Sequence, residues 1–249
     1  MADPVAYRER PAPPELAAWV ECAWEVAAPA TASADRLHRV LPDGCIDLVF
    51  REREGLQVAG PDTRAFLAAI PAGGSAVGVR MRPGGAPALL GVPARALRDS
   101  RTRAAEAVGP AAAPLEEALA GAAEPGTRTR LLLAWLAERA RGAALPDPLV
   151  EAVAAGLGAR PDLRVAGLAR DLGLGERHLR RRVVEGVGYG PKRLARVLRL
   201  QGALAMARRE PRLGWSRVAV LAGYADQAHL VNDCRALAGV PPSGLDAAR

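Results

Sequence analysis

The alternation of apolar and polar positions changes period along the chain. Between Tyr7 and about Met81, apolar residues come in short runs separated by turn chemistry. Arg36–Leu41 and Cys45–Phe50 are two such runs. Pro42-Asp43-Gly44 joins them, with proline presetting φ and glycine free to take positive φ. Leu56–Ala59 stops at Gly60-Pro61, Ala65–Ile70 at Pro71–Gly74, and Ala76–Met81 at Pro83-Gly84-Gly85. Short strands punctuated in this way predict a small antiparallel sheet or an incomplete barrel.

Past Ala86 the period becomes helical. Pro87–Gly91 makes one short turn and Pro114–Ala120 a further helix. Over Thr127–Arg141, Leu131, Leu132, Trp135 and Leu136 form one stripe. Asp147-Pro148 opens another helix, with Asp as N-cap and Pro at the first helical position. Leu149, Val150, Val153, Ala154 and Leu157 continue it, and Gly156–Pro161 divides the two halves of the chain.

The second half contains a weak internal repeat. Leu168–Leu179 and Val218–Leu230 each carry an Ala (Ala169, Ala219), then a Gly (Gly173, Gly223), then a His-Leu pair (His178-Leu179, His229-Leu230). The physical reading is two helix-turn-helix units. The Ala lets two helices approach, the Gly ends the first in a left-handed residue, and Leu174 or Tyr224 plugs the corner. Glu176 or Asp226 then sits where the dipole of the second helix favours negative charge. Leu179 and Leu230 face inward, which leaves the opposite face free for a major groove. In the first unit that face carries Arg177, Arg180, Arg181 and Arg182. In the second it carries Gln227, Ala228, Val231, Asn232 and Arg235. Pro191–Arg209 between them reads as one long helix, with Lys192 and Arg193 off its apolar stripe and expected, like Arg182 and Arg235, to contact DNA.

Charge supports this division. From Arg160 onward there are 17 Arg/Lys against 8 Asp/Glu, whereas residues 1–159 hold 17 against 19, so the net +7 comes entirely from the last part. That asymmetry suits a polyanion-binding half joined to a near-neutral one.

Several stretches together are similar to the AraC/XylS family DNA-binding domain: Gly188-Tyr-Gly-Pro-Lys192, Arg193–Ala203, Ala222–Leu230 and Ala238-Gly-Val-Pro-Pro242. The likeness covers Asp162 to Leu245. It implies two recognition helices in successive major grooves, about 34 Å apart on one face of DNA. It places base-edge contacts on Arg177, Arg180 and Arg181 in one helix and on Gln227, Ala228, Val231 and Asn232 in the other. His178 and His229 fall where they support the fold or a phosphate. Val183 and Cys234 stand where the family often has an aromatic, and Asn232 where it often has Arg. The first half resembles the sensor-like domains found ahead of such regulators, on Val40–Gly44, Asp47–Phe50, Gly60-Pro61 and Val79–Gly85.

The chain is therefore expected to be α+β. Residues 1–110 form a small antiparallel β domain with helices, cupin-like, that acts as a sensor. Residues 111–159 form a helical linker or dimerisation segment, and residues 160–249 an all-α double helix-turn-helix domain. The expected function is a sequence-specific transcription regulator, with double-stranded DNA as partner and an unidentified small-molecule effector. RNA polymerase and a second copy of the chain are further partners. The alternatives are a front half that serves only dimerisation or partner contact, and an enzyme fused to a DNA-binding domain.

Other functions find little support. With 50% apolar residues but only 4% aromatic, packing must rest on Ala, Leu and Val. No apolar stretch approaches the roughly 18–20 residues of a membrane span. Met1–Arg10 lacks the apolar core of a secretion signal, so a cytoplasmic location is expected. Cys22, Cys45 and Cys234 fit no zinc spacing, and three cysteines cannot supply a four-cysteine site. His38, Asp43, Cys45 and Asp47 cluster in sequence, but a Pro-Asp-Gly turn and a lone His read first as turn and surface residues. No phosphate-binding loop, nucleophile elbow or His-Glu-x-x-His occurs, so neither catalysis nor a cofactor or metal is expected.

Overall fold

The alternation of β4 (Ile46–Arg51) sets the layering of the first half. Ile46, Leu48 and Phe50 face a core of helices, while Asp47, Val49 and Arg51 face the other way. β7 (Ser75–Met81) repeats the pattern, with Val77, Val79 and Met81 on the helical side and Ala76 and Arg80 opposite. The structure is a computed structural model that describes residues 6–29, 31, 35–161 and 163–246. Asp162, where the family likeness begins, lies outside them.

β1 (Ala6–Pro11), β2 (Val20–Ala27), β5 (Gly55–Ala59) and β8 (Arg101–Arg103) complete an antiparallel sheet in the order β1-β2-β7-β4-β5-β8. β3 (Arg36–Val40) and β6 (Phe66–Ile70) pair only with each other. This ribbon covers the sheet face opposite the helices, with Ala68 and Ile70 in a small cluster with Cys22, Trp24, Val49 and Ala76. The incomplete closure fits the expected open barrel. β1, β2 and β8 were not among the runs that stood out in the sequence.

The helices of the first half are α1 (Gly85–Leu90), α2 (Ala104–Val108), α3 (Ala113–Gly121) and α4 (Pro125–Ala140). Leu115, Leu119, Leu132 and Leu136 join Leu48, Leu56, Val77 and Val79 in one core. Arg128 is 5% exposed, and its Nε donates to the carbonyls of Ala122 at 2.8 Å and Leu119 at 3.3 Å. It thus satisfies acceptors that the end of α3 would otherwise leave open.

A second core holds α5 (Pro148–Ala159), α6 (Val165–Asp171), α7 (Glu176–Val187), α8 (Pro191–Arg209), α9 (Trp215–Leu221) and α10 (Gln227–Ala238), followed by α11 (Pro242–Asp246). Asp147 caps α5 as expected, accepting from Leu149 N at 3.0 Å. The expected separate segment 111–159 does not exist as a unit. α3 and α4 bury their leucines under the sheet, while Val150, Val153 and Leu157 of α5 belong to the helical core, so the division falls between Ala140 and Asp147.

Candidate functional site

The two helix-turn-helix units close with the same hydrogen bond. Leu174 N donates to Ala169 O at 2.9 Å, and Tyr224 N donates to Ala219 O at 2.9 Å. Gly173 (φ 66°) and Gly223 (φ 76°) turn the chain through the left-handed region in front of those residues, where a Cβ would strain the backbone. Ala169 and Ala219 are buried at the helix crossings. Asp226 caps α10 by accepting from His229 N at 2.7 Å. α7 has no such side-chain cap, and Glu176 stands in its first turn.

α7 buries Leu179, Val183 and Val187 and exposes Arg177, Arg180 and Arg181. His178 is half-buried, with Nδ1 3.2 Å from Arg181 Nη2. α10 buries Leu230, Cys234 and Leu237 and exposes Gln227, Ala228, Asn232 and Arg235, with Val231 half-buried. Gln227 Oε1 accepts from Ser216 Oγ at 2.6 Å, and His229 stands edge-on to the Tyr224 ring at 5.1 Å. Val183 and Cys234, smaller than the aromatics common at these positions, are fully buried.

Two expected contact residues are turned to other work. Arg182 donates through Nε and Nη2 to both oxygens of Asp147, at 2.6 and 2.7 Å, and so ties α7 to the cap of α5. The same pair holds the Asp147 carboxyl below its ordinary range: burial opposes this, but the hydrogen bonds from Arg182 and Leu149 prevail. Arg193 donates to Thr63 O at 3.2 Å, in the first half of the chain, while Lys192 stays exposed.

Between the six-stranded sheet and the ribbon lies a cavity of about 760 Å³. His38, Asp43, Cys45 and Asp47 all line it, which corrects the reading of His38 and Asp47 as surface residues. Asp43 serves the turn as well, accepting from Cys45 N at 2.8 Å. Arg80 Nε lies 3.2 Å from Asp43 Oδ2 and 3.4 Å from Asp47 Oδ1, and Arg80 Nη1 lies 3.2 Å from Glu9 Oε1. Burial pushes the Asp47 carboxyl up to about 6; Arg80 pulls against this and Asp43 adds to it. Burial with the nearby Arg51 and Arg80 holds His38 below its ordinary value, so the imidazole is neutral near pH 7. Arg101 pairs with both oxygens of Asp62, at 2.9 and 2.6 Å, and covers the Phe66 ring at 4.1 Å. At Gly78 the floor approaches Trp24 so closely that a Cβ would come within 2.4 Å of the indole. Among the described residues no cluster of His, Cys, Asp or Glu could hold a metal ion.

Residues 168–247 match the family described as a helix-turn-helix domain, and residues 8–103 match a domain of unknown function (DUF6597). Residues 168–247 are a DNA-binding domain of the AraC/XylS type. No curated protein matches the chain. Among solved structures, ToxT from Vibrio cholerae O395 is 10% identical over 85% of this chain and 94% of its own, with a TM-score of 0.46. Wild-type ToxT from Vibrio cholerae strain SCE256 with bound unsaturated fatty acid is 9% identical over 98% and 96%, with a TM-score of 0.45. No helix among the described residues is long and apolar enough to cross a membrane.

The DNA-binding domain is docked on the cavity's own walls. Arg39 of β3 donates to Ala238 O at 2.7 Å, Ala65 N donates to Leu237 O at 2.6 Å, and Gln201 Nε2 of α8 donates to Pro42 O at 2.7 Å. Gln201 and Arg208 of α8 also line the cavity. On the other side of α7, Arg95 pairs with Glu185 at 2.7 Å and Gly84 N donates to Gly186 O at 3.1 Å. Sequence reasoning found none of these contacts. Arg193 and Gln201 look like any polar positions on a helix, and only the folded arrangement brings them to the loops that flank the ribbon.

Proposed function

We propose that the chain is a ligand-responsive transcription regulator that lays α7 and α10 in two successive major grooves. One observation carries this reading: α8, 19 residues long, rigidly joins two helix-turn-helix units. At about 1.5 Å per residue it spans about 28 Å, close to the roughly 34 Å between grooves on one face of DNA. Arg177, Arg180 and Arg181 supply the first helix's contacts, with Arg suited to guanine edges. Gln227, Asn232 and Val231 supply the second's, the amides suited to adenine and the valine to a thymine methyl. Lys192 and Arg235 serve the phosphates. Arg182 and Arg193 support the domain's posture.

The effector occupies the cavity between sheet and ribbon. Its lining of buried polar groups favours a ligand over a front half that serves partner contact alone. Because β3 and the turn after it touch α10 and α8, occupancy of the cavity alters how the second unit meets DNA. Such a regulator works beside the chromosome in the cytoplasm and engages RNA polymerase there.

Genomic footprinting of the full chain should find sites with two protected segments about 10 base pairs apart. Affinity should fall steeply between 50 and 200 mM salt, since phosphate contacts release counterions. Binding that ignores salt, or protection confined to one groove, would overturn the reading.

A further inference from the structure

The cavity carries more positive charge than its own carboxylates neutralise. Six arginines line it against four acids, Glu9, Asp43, Asp47 and Asp62. Those acids are already engaged. Glu9, Asp43 and Asp47 gather round Arg80, and Asp62 holds Arg101 with two hydrogen bonds. Arg39 is spent on the Ala238 carbonyl, and Arg208 sits exposed at the α8 side.

Arg36 and Arg51 remain. The Nε atom of each is buried and has no hydrogen-bond partner among the described residues, and neither forms an ion pair there. The two lie at the same end of the cavity. Arg36 pairs with Ile70 across the ribbon, and Ile70 lines a narrow cleft together with Arg51. Arg51 also faces the Phe66 ring, 5.9 Å from its centroid, and Arg101 covers the same ring. A buried guanidinium Nε without an acceptor forfeits its hydration and gains nothing in return. A fold keeps such a group where something else supplies the acceptor. Asp47 lies four residues from Arg51 along β4, on the same face, so about 13 Å separates the acid cluster from the free guanidinium. Val49 stands between them and Val26, Ala68 and Ile70 nearby, which gives the middle of the cavity an apolar lining.

We propose that the cavity takes a small organic anion, whose carboxylate or phosphate ester is held by Arg51 and Arg36 and whose apolar body lies along Phe66, Val49 and Ile70. This rests on the reading of the cavity as the effector site and names the chemistry of its ligand. Guanidinium presents a planar fork to either oxyanion, so the two share one recognition mode.

Calorimetry on the full chain tests it with three probes of one shape: 4-phenylbutyrate, 4-phenylbutyramide and 4-phenylbutyl phosphate. At least one anion should bind ten-fold or more tighter than the neutral amide, and which one does so separates carboxylate from phosphate. Arg51→Gln should abolish that preference, whereas Arg51→Lys should retain part of it. In the ligand-free protein, Arg51→Gln should melt within about 2 °C of the parent, because the side chain has no hydrogen bond to lose and its contact with the Phe66 ring is long. An amide that binds as well as both anions would overturn the anion proposal while leaving the effector site standing. So would a melting midpoint lowered by more than that for ligand-free Arg51→Gln, which would make the arginine structural. If no probe binds, the anion proposal fails. A library of neutral metabolites then decides the effector reading, which falls only if none of them binds either.

Discussion

The ion pair that seats α10 on α8 is unequal in its two halves, and this predicts an asymmetric response to mutation. Arg196 Nη2 and Nε donate to Asp233 Oδ1 at 2.7 and 3.2 Å. The Asp233 side chain is 8% exposed and its Oδ2 has no partner, whereas Arg196 is 42% exposed. Arg196→Ala strands a buried carboxylate. Breaking a fully buried pair in this way costs about 3–5 kcal/mol. Here water already reaches the arginine side, so the loss is about 2 kcal/mol. Asp233→Ala leaves only a solvated guanidinium and costs about 0–1 kcal/mol. In a chain of this size the first change lowers the melting midpoint by about 4–8 °C. The double variant should recover most of that, since the carboxylate that suffered is gone. Urea unfolding of the parent, both single variants and the double variant measures all three differences. Equal losses from the two single changes, or a double variant no more stable than Arg196→Ala, would refute the argument.

Three further outcomes follow from the geometry. Arg181→Ala should relax preference at one base pair at a cost of about 1–3 kcal/mol; Arg182→Ala should leave the logarithmic salt slope unchanged while lowering thermal stability, a contrast read by salt-titrated gel shifts and melting scans. Gly78→Ala should force the Trp24 indole, 2.4 Å from the new methyl, toward the cavity and destabilise the first half by about 1–3 kcal/mol, seen as a loss of near-ultraviolet Trp signal and a lower midpoint. The Asp47 carboxyl titrates near 6 when folded and near 3.8 when unfolded, so the fold binds the extra proton between those values. Its contribution is fully present below pH 3.8 and is lost as pH rises through 6, so the parent should lose stability relative to Asp47→Asn across that window in parallel urea titrations.

Much of the DNA-binding half is legible in the sequence because its signals are local. The Ala-to-Gly spacing, the acidic residue at the start of α10 and the leucine stripe of α8 each lie within one turn or one helix, and each appears in the structure. The sheet is harder to read. β2 buries Ala23 under the helices and Trp24 and Val26 under the ribbon, so apolar residues occupy both faces and no alternation marks the strand. β8 is three residues long and exists through pairing with β5. The cavity is less visible still. His38, Asp43 and Asp47 acquire neighbours only when the ribbon folds across the sheet, so their spacing along the chain carries no trace of the site. Arg181 and Arg182 show the same limit within α7. They are adjacent and identical in kind, and Asp147, thirty-odd residues away, gives the second a different task.

The bonds from Arg39 and Ala65 to the last carbonyls of α10 bear on modularity. Regulators of this architecture invite the exchange of front halves to obtain new inputs. In this chain the end of the second recognition helix is completed by the front half itself. A graft cut between Ala140 and Asp147 would carry over an α10 whose terminal acceptors lose their donors, and the recipient would inherit a loosened reading head. A transplant that keeps the β3–β6 ribbon with the DNA-binding domain preserves that joint, so the natural unit of exchange is larger than the sequence boundary suggests.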